Sequence, residues 1–323
     1  MKTFSNANPK SVADAVKLLG AGNASIAGGG SDALGMVKEQ LISPDVLVNL
    51  KSIPGLDEVT EQAGEVRIGG LITLSTLADH PLIRSRYSVL SQAAGVVGTP
   101  QIRNAGTLAG NVCQRPWCWY FRNGFPCYKN GGRTCFSVTG ENEFHAIFGG
   151  GPSYIVHPSD TAVALLALDA RFVIAGPKGE RVLPAAEFFA LPKVDPAKEN
   201  ILAHDEILTA IHLPAAAKSL RSSYHKELDR ESWTHAVVSV AVALEMDGGA
   251  CKSARVVLGG VAPIPWPVPN VEAMLAGKRI TPELAAQAGQ AAVEGARPLA
   301  KNKYKIPLTA AIVKRTLASL GST

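Results

Sequence analysis

Four of the five cysteines in this 323-residue chain fall within GTLAGNVCQRPWCWYFRNGFPCYKNGGRTC at 106–135, as Cys113, Cys118, Cys127 and Cys135. They stand among turn formers (Pro116, Gly124, Pro126, Gly131, Gly132) and not on a periodic apolar segment. Cysteines that only fill a core are scattered along strands and helices, whereas a cluster on a loop implies that something ties the loop together. The candidates are a zinc ion, an iron–sulfur cluster or two disulfides. The spacing C-x4-C-x8-C-x7-C lacks the tight C-x2-C pair that structural zinc sites use. Zinc and iron–sulfur centres both accept four thiolates in a tetrahedral array. Cubanes tolerate wide, irregular spacing because each thiolate binds a different iron. Cys251, at the start of a β run, reads as a small buried apolar residue.

A second feature able to do chemistry is AGGGSD at 27–32. Gly28, Gly29 and Gly30 let the backbone come close to a ligand and reach positive φ without a Cβ penalty. Their N–H groups, with the N-terminus of a following helix, favour a phosphate. The turn matches neither G-x-G-x-x-G nor G-x-x-x-x-G-K-[ST]. Its plain reading is a flexible turn with Ser31 or Asp32 as a helix N-cap. A polar, glycine-rich stretch at 98–111 adds more N–H groups, the Thr107 hydroxyl and the Asn111 amide. Two such loops can grip the two ends of an extended phosphate-bearing ligand. No Ser/His/Asp or Cys/His catalytic arrangement and no H-x3-H spacing stands out, so His80, His145, His204, His212, His225 and His235 read as structural or surface residues.

The elements that must position these residues follow from apolar spacing. A helix at 11–19, a strand at 24–27, the glycine turn, a helix at 33–41 and a strand at 46–50 give the βαβ pattern of a ligand-binding half-domain. A strand at 66–70 and helices at 73–80 and 88–97 come next. The 98–111 stretch leaves little room for a regular element. A polar connector at 137–151 leads to a strand at 153–156. Ser159 or Asp160 then caps a helix at 161–168, followed by strands at 171–175 and 206–213. Two β runs, 236–245 and 251–261, flank Asp247-Gly248-Gly249 as a hairpin with a loop slightly longer than two residues. The four prolines of VAPIPWPVPN block regular structure. Helices at 282–295 and 307–320 close the chain, and Ile312, Val313, Leu317 and Leu320 suit packing on the hairpin. A domain boundary falls near 215–221.

Composition limits the function classes. Hydrophobic content of 46% and charged content of 18% describe a soluble globular chain of two or three domains. A net charge of +5 without a basic, aromatic-laced stripe argues against nucleic acid. The apolar runs are too short to cross a bilayer. No basic region followed by an apolar run opens the chain, which leaves the cytoplasm, or periplasmic export in folded form with a signal-bearing partner. Five cysteines in this length is not a disulfide-scaffold density.

Five motifs in order carry a resemblance: AGGGSD at 27–32, GTLAGN at 106–111, HPSDTAVALLALDA at 157–170, FF…DEILTAIHLP at 188–214 and KELDRESWTHAVVSVAVAL at 226–244. Over nearly its whole length the chain resembles the FAD-binding (medium) subunit of the xanthine dehydrogenase family of molybdenum hydroxylases. The cysteine insert directly after GTLAGN is similar to that of the [4Fe–4S]-containing flavin subunits of bacterial periplasmic-type aldehyde oxidoreductases, and less closely to that of 4-hydroxybenzoyl-CoA reductase. The resemblance implies an α+β fold. A two-part FAD-binding region of the vanillyl-alcohol-oxidase/p-cresol-methylhydroxylase type would span 1–218, with a first lobe at 1–54 and a second at 55–218 that carries the cysteine-rich loop 112–136. A C-terminal α+β domain like that of carbon monoxide dehydrogenase flavoprotein would span 219–323.

The same resemblance implies residue roles. Ala27, Gly28, Gly29, Gly30, Ser31 and Asp32 would hold the pyrophosphate. Gly106, Thr107, Gly110 and Asn111 would make a second phosphate and ribityl contact. Ser159 and Asp160 would bond the ribityl chain or flavin, and Leu208 would join the cofactor wall. Lys226 would stand near the polar edge of the flavin ring, where a cation stabilises the reduced form. Cys113, Cys118, Cys127 and Cys135 would hold a [4Fe–4S] cluster. Ala109 stands where many relatives have glycine, and His157 where many have a smaller residue. Arg103, Arg115, Arg122, Lys129 and Arg133 would offset the cluster's negative charge or be ordinary solvated charges. Trp117, Trp119, Tyr120 and Phe121 would shield the cluster or face a partner. The implied function is electron transfer within a heterotrimeric molybdenum-containing aldehyde oxidoreductase. Electrons would pass from a [2Fe–2S] small subunit through FAD and the [4Fe–4S] cluster to an external acceptor such as a quinone, a ferredoxin, oxygen or a dye. The substrate would be oxidised on a molybdenum-cofactor large subunit. Three further readings are a self-contained FAD-dependent oxidase or dehydrogenase, for which no catalytic base or covalent-flavin histidine is evident, the flavin subunit of a 4-hydroxybenzoyl-CoA reductase-like enzyme, and a metal-stabilised scaffold.

Overall fold

Short strands alternating with helices must pair in parallel, because the crossover helix returns the chain to the same end. The computed structural model describes residues 2–231 and 234–321. Ser232 and Trp233, inside the 226–244 motif, lie outside the described residues. Strands β1 (Ser5–Ala7), β2 (Ala24–Ala27) and β3 (Val46–Asn49) form a parallel sheet in the order β1-β3-β2. Helix α1 (Val12–Gly20) is capped by Ser11, whose Oγ accepts the Asp14 N–H at 3.1 Å, and it buries Ala15, Val16 and Leu19. Helix α2 (Ala33–Lys38) follows the glycine turn. It stops short of the expected residue 41 because Gln40 turns left-handed at φ 59. Leu71 and Ile207 complete this lobe's core from far along the chain.

The second sheet is antiparallel, in the order β4-β5-β8-β6-β7. It comprises β4 (Val59–Gln62), β5 (Glu65–Gly69), β6 (Arg171–Gly176), β7 (Gly179–Pro184) and β8 (Ile207–Leu213). Six of the seven residues of the central strand β8 are buried, as a strand covered on both faces requires. Between β5 and β6 come α3 (Leu74–Asp79), α4 (Pro81–Arg86), α5 (Ser88–Gly95), α6 (Pro100–Ala105), α7 (Leu108–Val112), α8 (Trp119–Arg122) and α9 (Asp160–Ala167). The 98–111 stretch therefore holds two short helices where little regular structure was expected. Thr99 and Thr107 start them, each accepting a backbone N–H of its own first turn. The expected strand at 153–156 is absent among the described residues, although Tyr154 O accepts the Ala146 N–H at 2.9 Å.

The third sheet is antiparallel, in the order β12-β11-β10-β9. It is built from β9 (Leu220–Glu227), β10 (Val238–Asp247), β11 (Ala250–Gly259) and β12 (Trp266–Pro267). The hairpin loop is two residues, not longer: Gly248 and Gly249, at φ 54 and 85, supply the two positive φ values of a type I′ turn. Helices α10 (Pro269–Leu275), α11 (Pro282–Ala291) and α12 (Lys305–Gly321) cover one face, with Ile312, Val313, Leu317 and Leu320 in its core. Helix α9 is buried along its entire length, since it packs on α5 and α7 and also on β10 and β11. No helix among the described residues is long and apolar enough to cross a membrane.

The start of α12 grips the connector that leaves the cysteine loop. Lys305 Nζ donates to Phe144 O at 2.9 Å and Gly260 O at 2.6 Å. Asn302 Nδ2 donates to His145 O at 3.0 Å, and Lys301 N–H to Asn142 Oδ1 at 2.9 Å. Burial lowers the Lys305 pKa from 10.5 to about 7. Between those values the unfolded chain holds a proton that the folded chain has given up. The stability set by this group therefore rises with pH across that window, by at most about 1.4 kcal/mol per pH unit. Urea midpoints at pH 7, 8.5 and 10 should climb for the native chain relative to Lys305→Met. Parallel profiles would show that Lys305 keeps its proton.

Candidate functional site

The two glycine loops touch each other. A Cβ on Gly29 would meet Ala105 O at 2.0 Å, so only glycine lets the β2–α2 turn lie against the α6–α7 link. Gly30 sits at φ 74. Thr107 Oγ1 accepts the Gly110 N–H at 3.2 Å, and a Cβ on Gly110 would meet that oxygen at 2.8 Å. Two cavities open beside this junction and share Ser31, Asp32, Thr107, Gly110 and Gln114 as walls. The first, about 200 Å³, runs along Gly28, Gly29 and Gly30 over an apolar floor that includes Leu71, Ile207 and Leu208, with Cys113 at its side. The second, about 210 Å³, has apolar walls of Leu74, Val97 and Trp117 and a polar end at Asn111, Asp160 and Lys226. Gly106 also lines the second. Ala27 is buried at the end of β2 and lines neither.

A buried network builds the polar end. Asp160, the first residue of α9, accepts from Tyr224 Oη at 2.6 Å and from Lys226 Nζ at 2.8 Å. Lys226 and Asp160 expose only 3% and 4% of their side chains. A pair this dry costs more than it returns unless its remaining lone pairs and protons are satisfied. Here Tyr224 fills the second carboxylate oxygen, and Lys226 Nζ also donates to Val96 O at 3.2 Å. Burial, reinforced by the charge on Asp160, raises the Tyr224 pKa well above 10, which keeps its proton in place as a donor. Lys226 and Tyr224 lie on β9 and Asp160 on α9, so the network joins the third sheet to the second lobe.

Ser159 is tied into the protein on both sides. Its Oγ accepts the Ala162 N–H at 3.0 Å as the cap of α9 and donates to Asn111 Oδ1 at 2.7 Å. Thr161 Oγ1 donates to the same Asn111 oxygen at 2.6 Å. Asn111 is thereby oriented with its amide nitrogen as the group left for the cavity. Burial and the nearby Lys129 charge lower the pKa of His157 to about 3, so that imidazole is neutral and packs edge-on to Phe189.

Asp32 does not cap α2: its side chain accepts no helix N–H. Its Oδ2 accepts the Arg115 N–H at 2.9 Å and its Oδ1 the Arg122 guanidinium at 2.7 Å. Arg122 also donates to Pro116 O at 3.0 Å and lies 4.2 Å over the Trp117 ring. Arg115 Nε pairs with the buried Glu199 carboxylate at 2.8 Å, and Lys129 pairs with the other oxygen of Glu199. Arg115, Arg122 and Lys129 therefore fasten the cysteine loop and are not ordinary solvated charges. Arg133 is exposed.

The cysteines are all free thiols, so the disulfide alternative is not adopted. Cys118 is pushed up to about 11, first by burial and further by Cys135 and Cys127, which places these three within each other's field. Burial pushes Cys113, at the end of α7 beside the glycine chamber, up to about 12. Among the described residues no three His, Cys, Asp or Glu groups stand assembled as a metal site. Four thiolate ligands on this loop would need all four side chains to draw together. His145 Nε2 lies 3.4 Å from Cys118 Sγ. Sequence reading set His145 aside and missed Tyr224, Thr161 and Glu199, because nothing in their local spacing shows what they touch.

The cleft fits a long ligand with an anionic middle and a planar, polar head. Glycine backbone lines one chamber, and a buried cation and an oriented amide close the other. Family comparison agrees. The family described as FAD binding domain in molybdopterin dehydrogenase matches residues 2–216, and the CO dehydrogenase flavoprotein C-terminal domain matches residues 223–320. The aldehyde oxidoreductase FAD-binding subunit PaoB of Escherichia coli (strain K12) is 37% identical over 302 residues, covering 90% of this chain and 88% of that protein. The carbon monoxide dehydrogenase medium chain of Hydrogenophaga pseudoflava is 28% identical, covering 96% and 94%. A solved structure of carbon monoxide dehydrogenase from Hydrogenophaga pseudoflava, lacking the Mo-pyranopterin moiety of its cofactor, superposes with a TM-score of 0.78 at 27% identity over 99% of this chain and 97% of that one.

The Asp32–Arg122 pair, with side chains 18% and 7% exposed, should behave as a coupled unit. Urea unfolding of Asp32→Asn, Arg122→Gln and the double variant should give a coupling energy of about 1–3 kcal/mol. Additive losses would mean that the pair fastens nothing.

Proposed function

This chain belongs to the FAD-binding medium subunits of the xanthine dehydrogenase/molybdenum hydroxylase family, and on that premise we propose that it is the electron-transfer flavoprotein subunit of a heterotrimeric molybdenum-containing aldehyde oxidoreductase. The observation that carries the reading is the two-chambered cleft, with its glycine-lined end and its buried Lys226 at the other. The aldehyde assignment draws support from the 37% identity to an aldehyde oxidoreductase FAD-binding subunit over most of both chains. In this reading residues 1–218 form the flavin-binding region and 219–323 the C-terminal domain.

Bound FAD supplies a two-electron carrier that can hand electrons on singly or in pairs. The chain's own residues bind and orient it. Gly28, Gly29, Gly30 and Ser31 turn N–H groups toward the pyrophosphate. Thr107 and Gly110, which wall both chambers, and Gly106, which walls the second, would contact its phosphate and ribityl part, Leu208 would wall the first chamber, and the Asn111 amide nitrogen would be a donor to the ribityl chain or ring. Lys226 places a cation at the ring's polar edge, and Asp160 and Tyr224 hold it there. Ser159 acts through Asn111.

Cys113, Cys118, Cys127 and Cys135 would hold a [4Fe–4S] cluster. Supporting this are their confinement to one loop and irregular spacing of a kind that cubanes accept. Partner chains with a [2Fe–2S] centre and the molybdenum cofactor would deliver the electrons, in keeping with relatives named as medium chains.

An optical spectrum with iron and sulfide analysis tests the reading. Flavin bands over a broad cluster absorption, with about four irons per chain, are expected. Zinc without iron would sink the cluster assignment, and so would Cys118→Ser or Cys127→Ser variants that keep full iron content. Gly29→Ala should lose most of its flavin, because the added methyl forces the two glycine loops apart. Lys226→Met should lower the two-electron flavin potential by about 30–60 mV, equivalent to about 1.4–2.8 kcal/mol. An unchanged potential would remove Lys226 from the ring's edge.

A further inference from the structure

Beside the second chamber lies a larger cavity of about 530 Å³ to which the roles above assign nothing. The two spaces share Trp117, Pro158, Thr234 and His235 as walls, so an occupant of one lies against an occupant of the other. Cys118, Trp119 and Arg122 of the cysteine loop form one side, and Phe144 and His145 close it. Its volume, aromatic walls and few polar groups are those of a small-molecule site. Trp117 lies between the Arg122 guanidinium and the His235 ring, but Trp119 exposes 66% of its surface, a placement that core packing does not explain. Arg122 is committed to Asp32 and Glu39, whereas Nδ1 of His145 is buried on the cavity wall and makes no hydrogen bond.

We propose that this cavity binds the external electron acceptor of the flavin, a planar quinone stacked on the exposed Trp119 indole, with a carbonyl oxygen accepting from His145. The proposal rests on the flavin-subunit reading. Flat apolar rings gain most from indole walls, and a neutral carbonyl matches the His145 ring nitrogen, which has no acidic partner. A dinucleotide acceptor would need a second phosphate cradle, and both glycine loops already face the other chambers. A protein acceptor is too large to enter. The transfer balances without another reactant. The fully reduced, protonated flavin gives up two electrons and two protons, its two N–H bonds break, and both quinone C=O groups become C–O–H.

The test uses the purified holoenzyme with its flavin photoreduced anaerobically, then mixed with a short-chain benzoquinone while flavin absorbance is followed. The reoxidation rate should saturate with quinone concentration. Trp119→Ala should raise the half-saturating concentration at least fivefold, and Trp119→Phe should recover most of that loss. A rate that stays linear in quinone, or a half-saturation unmoved by Trp119→Ala, overturns the site while leaving the flavin reading intact. A holoenzyme whose purified chain carries no flavin would overturn the flavin reading itself, and this site with it.

Discussion

The Asp32 carboxylate is the fixed point of the molecule. It sits at the end of the first glycine turn, yet its oxygens are taken by Arg115 N–H and the Arg122 guanidinium from the cysteine loop. That clasp sets Trp117, which walls both the second chamber and the larger cavity. It also sets Arg115, from which the tie continues through Glu199 to Lys129. Arginine suits the position because one planar fork serves Asp32, two backbone carbonyls and an indole face together. A lysine, as a point charge, would satisfy one of these at a time. The first lobe, the second lobe and the cysteine loop are thus fastened at one side chain.

Elsewhere the chain buries charge by a consistent rule: each buried ionic group is matched either by an opposite charge or by carbonyl oxygens. Lys226 faces Asp160, Lys129 faces Glu199, and Lys305 faces two backbone oxygens without an anion. The first two pairs sit where separate layers meet, and their desolvation cost is offset only in the assembled arrangement. They therefore specify how the layers meet more than they add stability. Lys305 differs, and its lowered pKa reflects the missing anion.

Much of this was legible from the sequence, for physical reasons. Strand β2 and the hairpin strands β10 and β11 carry dense apolar patterns that only a strand satisfies. Helix α9 announced itself by a capping serine before an apolar run. The edge strands β4 and β7 went unread because they face solvent and carry few apolar residues. The helices α6 and α7 are too short for periodicity to show, although their threonine caps were there to be seen. At the site, the glycine turns, Asn111, Asp160 and Lys226 were legible as residue types, and all but Asn111's orientation follows from where their own elements lie. Tyr224 and Glu199 were not, since each acts on a residue more than sixty positions away. Asp32 was read as a cap or phosphate contact because local sequence cannot show a partner ninety residues on.

The first lobe's core borrows Leu71 and Ile207 from distant parts of the chain. As the chain leaves the ribosome, its opening βαβ unit must wait for about 150 more residues before its hydrophobic face can be closed. Lys226, later still, completes the second chamber. Such non-local closure is slow, because the loop entropy is lost before the contacts that reward it form. The first lobe's core therefore closes only once β8 has been made, and the second chamber only once β9 has.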